Sequence, residues 1–283
     1  MIPPNYSDIC KPVNDLFGKD YPFGALKLEV KTTTANGVTF TVNGAQDVKS
    51  GSIISELKAK YADKVNGLTY TESWNTANLV TGQVEIANKF AKGLKVELSG
   101  SSALSSTKRG LRSKFSYQQD NLFARVNIDA LSPSVVTDVT VSRDGALAGA
   151  ELAYDLNSGA VTKTNSTVGY AGPDYTITLQ GNNSLNLFQL AFYQRVTPNV
   201  EAGARAVYDY KNPEGGVSAE LGAKYLLDKD AFVKTKVDNA GRLGMSFTQT
   251  LRPGVKLTLA GLFDTTRLQE NSHKMGAALN FEA

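Results

Sequence analysis

The sequence predicts an all-β barrel that spans a membrane, with one short amphipathic helix near its start. Three observations carry this. Apolar and polar residues alternate with period two from Gly24 almost to the end of the chain, the pattern of strands with two unlike faces. The apolar faces are rich in Ala, Gly and single aromatics, which fill a two-sheet core poorly. The opposite faces are charged, and few Pro or bulge signals protect sheet edges as a soluble sandwich would need. A closed barrel, apolar outside and charged inside, has no edges, which is what lipid requires.

The helix comes first. In Tyr6 to Lys19, at ~100° per residue, Tyr6, Ile9, Val13, Leu16 and Phe17 share one arc. Lys11, Asn14, Asp15, Gly18 and Lys19 gather opposite. At ~1.5 Å per residue the segment is only ~21 Å long, so its apolar stripe needs a surface to lie on. Pro12 is expected at the first helical position, where its missing N–H costs nothing.

Strands follow. Leu26, Leu28 and Val30 alternate with Lys27, Glu29 and Lys31, and Asn36-Gly37 turns the chain into Val38, Phe40 and Val42. Ser55 to Tyr61, Leu94 to Leu98, Leu122 to Ala130, Ala148 to Asp155 and Tyr175 to Gln180 repeat the texture. Phe188 to Phe192, Glu201 to Ala206, Val217 to Lys224, Val233 to Val237, Leu243 to Phe247, Val255 to Leu259 and Met275 to Phe281 continue it. Turn signals recur without a linker between compact halves. With ~10 residues per strand and ~3–4 per turn, roughly 18–20 strands fit after Gly24. Two segments are therefore expected: an N-terminal piece, 1–23, and the barrel, 24–283.

One run breaks the pattern. Leu68, Tyr70 and Trp74 share a face, and Glu72 has the same parity. A carboxyl group among lipid chains is costly and favours protonation. Either Glu72 lies near the interface or a bulge turns it inward, or it is a membrane-facing acid that thins the bilayer or meets a partner.

Composition limits the function classes. The chain has 283 residues, 41% apolar content and 30 Lys plus Arg against 27 Asp plus Glu, so no nucleic-acid partner is implied. The start, MIPPNYSDIC, has no basic region followed by an apolar run, and the expectation is an intracellular protein made without a cleaved presequence. A single histidine, His273, and a single cysteine, Cys10, form no metal-ligand spacing or disulfide framework. With no P-loop or nucleophile elbow either, neither an enzyme nor a cofactor is expected. Parity sends Lys27, Lys31, Lys58, Lys60, Lys95, Arg112, Lys114, Arg125, Lys234, Lys236 and Lys256 inward, against fewer acids such as Glu29, Glu56, Glu97 and Glu201. Such a lumen concentrates anions, modestly because a wide wet pore is screened.

The stretches Ser7-Asp8-Ile9 through Phe17-Gly18-Lys19, Leu28 to Thr32 with Asn36-Gly37, and Gly67 to Thr76 resemble the mitochondrial porins, or voltage-dependent anion channels, in their fungal form. Gly93-Leu94-Lys95, Tyr225 to Val237, Gln249 to Val255 and His273 to Gly276 extend the likeness over nearly the whole chain. The resemblance implies 19 strands with one parallel closing pair, a number that belongs to the family and not to the spacing. It implies a voltage-gated, weakly anion-selective channel of the mitochondrial outer membrane that passes ATP, ADP, phosphate and small metabolites by diffusion. The helix would lie inside the pore, with Ile9, Val13, Leu16 and Phe17 on the wall. Lys11, Asp15, Lys19, Lys95, Lys114 and Lys236 would meet the permeant nucleotide. Glu72 falls on the family's membrane-facing acid.

An NAD(H) contact would map to Arg242, Leu243, Gly244 and to Ala260, Gly261, Leu262, Phe263 and Asp264, although Arg242 replaces an uncharged family residue. The lipid bilayer, a homo-oligomer, and docked cytosolic kinases or apoptosis regulators are the implied partners. The family's glycine-rich hinge reads Asp20-Tyr21-Pro22-Phe23-Gly24 here, with one glycine. A related barrel acting in protein import or as a docking platform is the alternative. A bacterial porin would carry a cleaved signal and usually a terminal aromatic, where this chain ends Phe281-Glu282-Ala283.

Overall fold

The computed structural model describes residues 2–104, 107, 109–270 and 272–282. Met1 and Ala283, the outer bounds of the two expected segments, lie outside the described residues. A 3-10 turn, Tyr6–Asp8, precedes the helix α1 (Lys11–Gly18). The first strands are β1 (Ala25–Thr33), β2 (Val38–Asp47), β3 (Ile53–Asp63), β4 (Leu68–Asn75), β5 (Leu79–Ala87), β6 (Leu94–Ala103) and β7 (Arg109–Gln118). Next come β8 (Leu122–Asp129), β9 (Ser134–Arg143), β10 (Ala146–Asp155), β11 (Ala160–Ala171), β12 (Tyr175–Asn182) and β13 (Leu187–Thr197). The last are β14 (Val200–Asp209), β15 (Val217–Leu226), β16 (Ala231–Asp238), β17 (Arg242–Arg252), β18 (Val255–Asp264) and β19 (Lys274–Glu282).

All belong to one 19-stranded sheet in which each strand pairs antiparallel with the next. An up-and-down meander with an odd number of strands must close on two strands of like direction. Accordingly β1 and β19 pair parallel, from Leu26 opposite Ala277 to Lys31 opposite Glu282. Every strand thus has two neighbours, which satisfies the backbone polar groups without water. Among the described residues no helix is long and apolar enough to cross a membrane.

Register sorts the side chains cleanly. Val30, Val42, Leu57 and Trp74 are successive cross-strand neighbours on the outer wall, each more than a third exposed to the surroundings. Their neighbours Lys31, Thr41, Lys58 and Ser73 line the lumen by the same pairing. Tyr61, Tyr70, Tyr170 and Tyr175 stand outward near one rim, and Tyr154 and Tyr208 near the other. Most residues buried to less than a tenth of their surface lie in the N-terminal segment or on the wall beneath it. This barrel has no conventional core; its buried interior is the seat of one helix.

The helix is shorter than the sequence pattern suggests. The first amphipathic turn is 3-10, and Pro12 is the second α-helical residue rather than the first. Ile9, Val13, Leu16 and Phe17 are each no more than 2% exposed. Burying such side chains stabilises by ~1.5–3 kcal/mol each. The wall makes room with small inward residues. A Cβ on Gly149 would stand 2.9 Å from Ile9, one on Gly203 2.8 Å from Leu16, and one on Gly222 2.8 Å from Phe17. Ala191 packs in the same cluster as Val13, Leu16 and Phe17.

Candidate permeation pathway

The lumen-facing side of α1 carries Lys11, Asp15 and Lys19, all exposed. A cavity of about 270 Å³ separates this side from the wall and is lined by Asp15, Lys19, Glu201, Lys224, Phe232 and Lys256, among others. Lys224 lies 3.2 Å from Glu201, and both Lys224 and Lys256 sit 5.2 Å over the Phe232 ring. A larger space of about 580 Å³ lies on the other side of the Gly18–Pro22 stretch, with Lys19, Lys27, Glu29 and Glu56 in its lining. Lys19 therefore borders both spaces.

Most inward charges are neutralised in place. Lys95 bridges Glu85 at 2.9 Å and Glu97 at 3.0 Å, and Lys114 meets Glu97 at 3.0 Å. Arg125 holds the fully buried Asp138 at 2.6 Å, and Lys163 pairs with Glu151 at 3.1 Å. Sequence parity had placed Lys95 and Lys114 in the lumen; the structure puts both there, inside one cluster rather than free. Glu85, Asp138 and Lys163 belong to the same wall and are legible only once register is known. By contrast Lys11, Lys19, Lys27, Lys58, Lys60 and Lys256 have no carboxylate within 4.0 Å among the described residues. The acids similarly without a cation among the described residues are Asp15 on α1 and, at mid-wall, Glu29 and Glu56. Six lysines against three acids leave the uncompensated lumen charge positive, with Lys19, Lys27 and Lys256 lining the two spaces.

Lys236 has a different occupation from the one its parity suggests. Its Nζ donates to the Phe17 carbonyl at 2.8 Å and lies 4.9 Å over the Tyr21 ring and 5.6 Å over the Phe23 ring. Its neighbour Lys234, only 2% exposed, donates to the carbonyls of Asp15 at 2.7 Å and Lys19 at 2.6 Å. The Lys19 carbonyl is left over at the helix C-terminus, where positive charge is also favoured by the helix dipole, while the Asp15 carbonyl accepts the Lys19 N–H at 3.2 Å as well. Two inward lysines on one strand were visible in the sequence; that backbone carbonyls would be their partners was not.

The eight positions of the expected NAD(H) contact do not form one surface. Arg242, Gly244, Ala260, Leu262 and Asp264 point inward, whereas Leu243, Gly261 and Phe263 point to the outer wall. Arg242 is bound to Asp238 at 2.7 Å, and a Cβ on Gly244 would meet Phe23 at 2.9 Å. Glu72 sits on the outer wall between Tyr70 and Trp74, opposite Ala59 and Gly82. It is exposed there, and no bulge interrupts its register. Cys10 is 1% exposed, bonded through its thiol to Thr178 Oγ1 at 3.0 Å. Burial pushes that thiol above its ordinary pKa.

A wide barrel, a helix laid within it and an excess of unpaired lysines describe a pore. The family described as eukaryotic porin matches residues 2–276. The chain belongs to that family. It is 40% identical over 285 residues to the mitochondrial outer membrane protein porin of Candida albicans, with 100% of each chain covered. It is 37% identical over 288 residues to the protein of the same name from Neurospora crassa, again with 100% of each covered. The voltage-dependent anion-selective channel of Drosophila melanogaster is 35% identical over 285 residues, with 100% of each covered. A triple mutant of the Rhodopseudomonas blastica porin superimposes with a TM-score of 0.52 at 11% identity, over 92% of this chain and 96% of that one; it shares the barrel fold. As a eukaryotic porin with these relatives, the chain is a channel-forming barrel of the mitochondrial outer membrane.

Proposed function

We propose that this porin is a passive, voltage-gated, weakly anion-selective channel for ATP, ADP, phosphate and other small anionic metabolites. In this role residues 1–23 form the insert that narrows the pore and 24–283 form its wall. The observation that carries the preference is the unpaired lysine set, Lys11, Lys19, Lys27, Lys58, Lys60 and Lys256, of which Lys19, Lys27 and Lys256 line the two spaces beside the helix. Fixed positive charge raises the local anion concentration by a factor that falls as salt rises. Lys95 and Lys114, already shared among carboxylates, act as secondary contacts; Lys11, Asp15 and Lys19 meet the permeant anion first.

Purified protein in a planar bilayer under a salt gradient tests this. The expected reversal potential has the sign of anion preference and shrinks as both salt concentrations are raised. A cation-selective or voltage-insensitive pore would overturn the proposal and favour an import or docking barrel. Glu72 serves the outer wall rather than the path. Glu72→Gln is expected to leave single-channel conductance unchanged while altering the binding of lipid or a docked partner, kinase, apoptosis regulator or second copy, beside β4. A large fall in conductance would contradict the outward placement.

A further inference from the structure

We propose that Lys234 and Lys236 are positioning residues that latch α1 and its linker to the wall, so that the channel changes conductance while the helix keeps its seat. The last turn of a helix leaves carbonyls without intrahelical partners, and in a wet pore water could serve them. Here the acceptors of Phe17 and Lys19 are instead taken by two ammonium groups rooted in β16, one of which also reaches the Asp15 carbonyl that the Lys19 N–H caps. Lys234 has three N–H donors; two are on carbonyls, and the Asp20 carboxylate lies 3.7 Å away on the third side. An ammonium buried this far is tolerated only because its donors are used. Lifting the helix would leave the charge with none of these partners.

The linker is held by the same two residues. Lys234 stands 5.1 Å over the Tyr21 ring and Lys236 lies over both Tyr21 and Phe23. Tyr21 and Phe23 pack on each other with centroids 5.1 Å apart. Ser246 donates to the Asp20 carbonyl, and the Gly24 N–H donates to the Met275 carbonyl at 3.1 Å. Asp20 holds a left-handed φ of 66°, a conformation that a freely swinging segment would abandon. The residues between α1 and β1 are therefore a clamped strap rather than a hinge. Moving the helix requires breaking the lysine contacts and exposing Val13, Leu16 and Phe17 together.

Cys10, the chain's one cysteine, is a native reporter of this latch because it caps the start of α1 and is buried against Thr178 of the wall. The probe is a small water-soluble maleimide applied to the full-length protein in liposomes. Gly18→Cys in a Cys10→Ser background supplies an exposed reference thiol. Native Cys10 is expected to react at least about a hundredfold more slowly than the reference, as a thiol reached only by local opening does. Lys234→Met with Lys236→Met should raise the Cys10 rate about tenfold or more, the effect of losing even one charged hydrogen bond. Reaction of native Cys10 as fast as the reference, or an unchanged rate in the double variant, overturns the latch. Should the double variant not insert, Lys236→Gln alone must still raise the rate. In a many-channel bilayer held at a closing potential, Cys10 should stay unlabelled while the current is low. Faster labelling at that potential means the helix leaves and refutes the second half of the proposal. This last arm rests on the channel function; absence of any current would sink that function and leave the thiol result standing.

Discussion

Reversing the charge at both Lys11 and Lys19 should turn the pore from anion preference towards cation preference. Both side chains project from the lumen face of α1, and Lys19 borders the two spaces on either side of the Gly18–Pro22 stretch. A unit charge about 7 Å from a permeant ion in water acts on it with about 0.6 kcal/mol before screening. Lys11→Glu with Lys19→Glu changes the local charge by four units. With salt at physiological strength halving the effect, about 1 kcal/mol remains, which is about a fivefold fall in local anion concentration. A salt-gradient bilayer recording reads this directly as a shift of reversal potential. An unchanged potential would remove α1 from the selectivity path. The same reversal at Lys114 should shift the potential less, because its partner Glu97 also holds Lys95.

The largest structural effect is expected from Gly276→Ala. Gly276 faces inward on β19 beside the strap, and an added Cβ would stand 1.7 Å from the Pro22 carbonyl oxygen and 2.6 Å from that of Ala25. Both are backbone atoms, so no side chain can swing aside. Either the strap moves off the wall or the pairing of β19 is disturbed, and overpacking of this kind costs ~1–3 kcal/mol or more. A lower midpoint of denaturation in detergent, together with faster labelling of Cys10, is the expected pair of results. Gly82→Ala is the control: nothing lies within 4 Å of a Cβ there, and it should leave both measurements unchanged.

The alternating pattern made the barrel and the inward lysines legible without coordinates, and it gave Glu72 the parity of the apolar face while leaving a bulge open, which the intact register of β4 excludes. What it did not reveal has a common cause. Strands β9 and β11 escape the pattern because their inward residues are Asp138, Thr140, Asn165 and Thr167, all buried, rather than an exposed charged row. They are small or neutralised because the N-terminal turn lies on them; Tyr6 accepts a hydrogen bond from Thr167. A lumen face covered by protein reads differently from one covered by water. The β5 and β7 runs were obscured for a simpler reason, since Gly82, Gly110 and Ser113 interrupt their apolar faces or shorten their alternation. The roles of Lys234 and Lys236 stayed hidden because their acceptors are main-chain carbonyls more than two hundred residues away, which carry no side-chain signature.

The parallel seam between β1 and β19 has a consequence for how the chain can be made. Residue 31 meets residue 282, so the two edges of the sheet stay open until the last strand exists. A nascent chain that has finished eighteen hairpin-linked strands is still a ribbon with two unsatisfied borders, unfit for lipid. It cannot become a wall piece by piece. The strap between α1 and β1 touches Met275 and Gly276 of that final strand, so a segment that precedes every strand gets its complete floor only from the last of them.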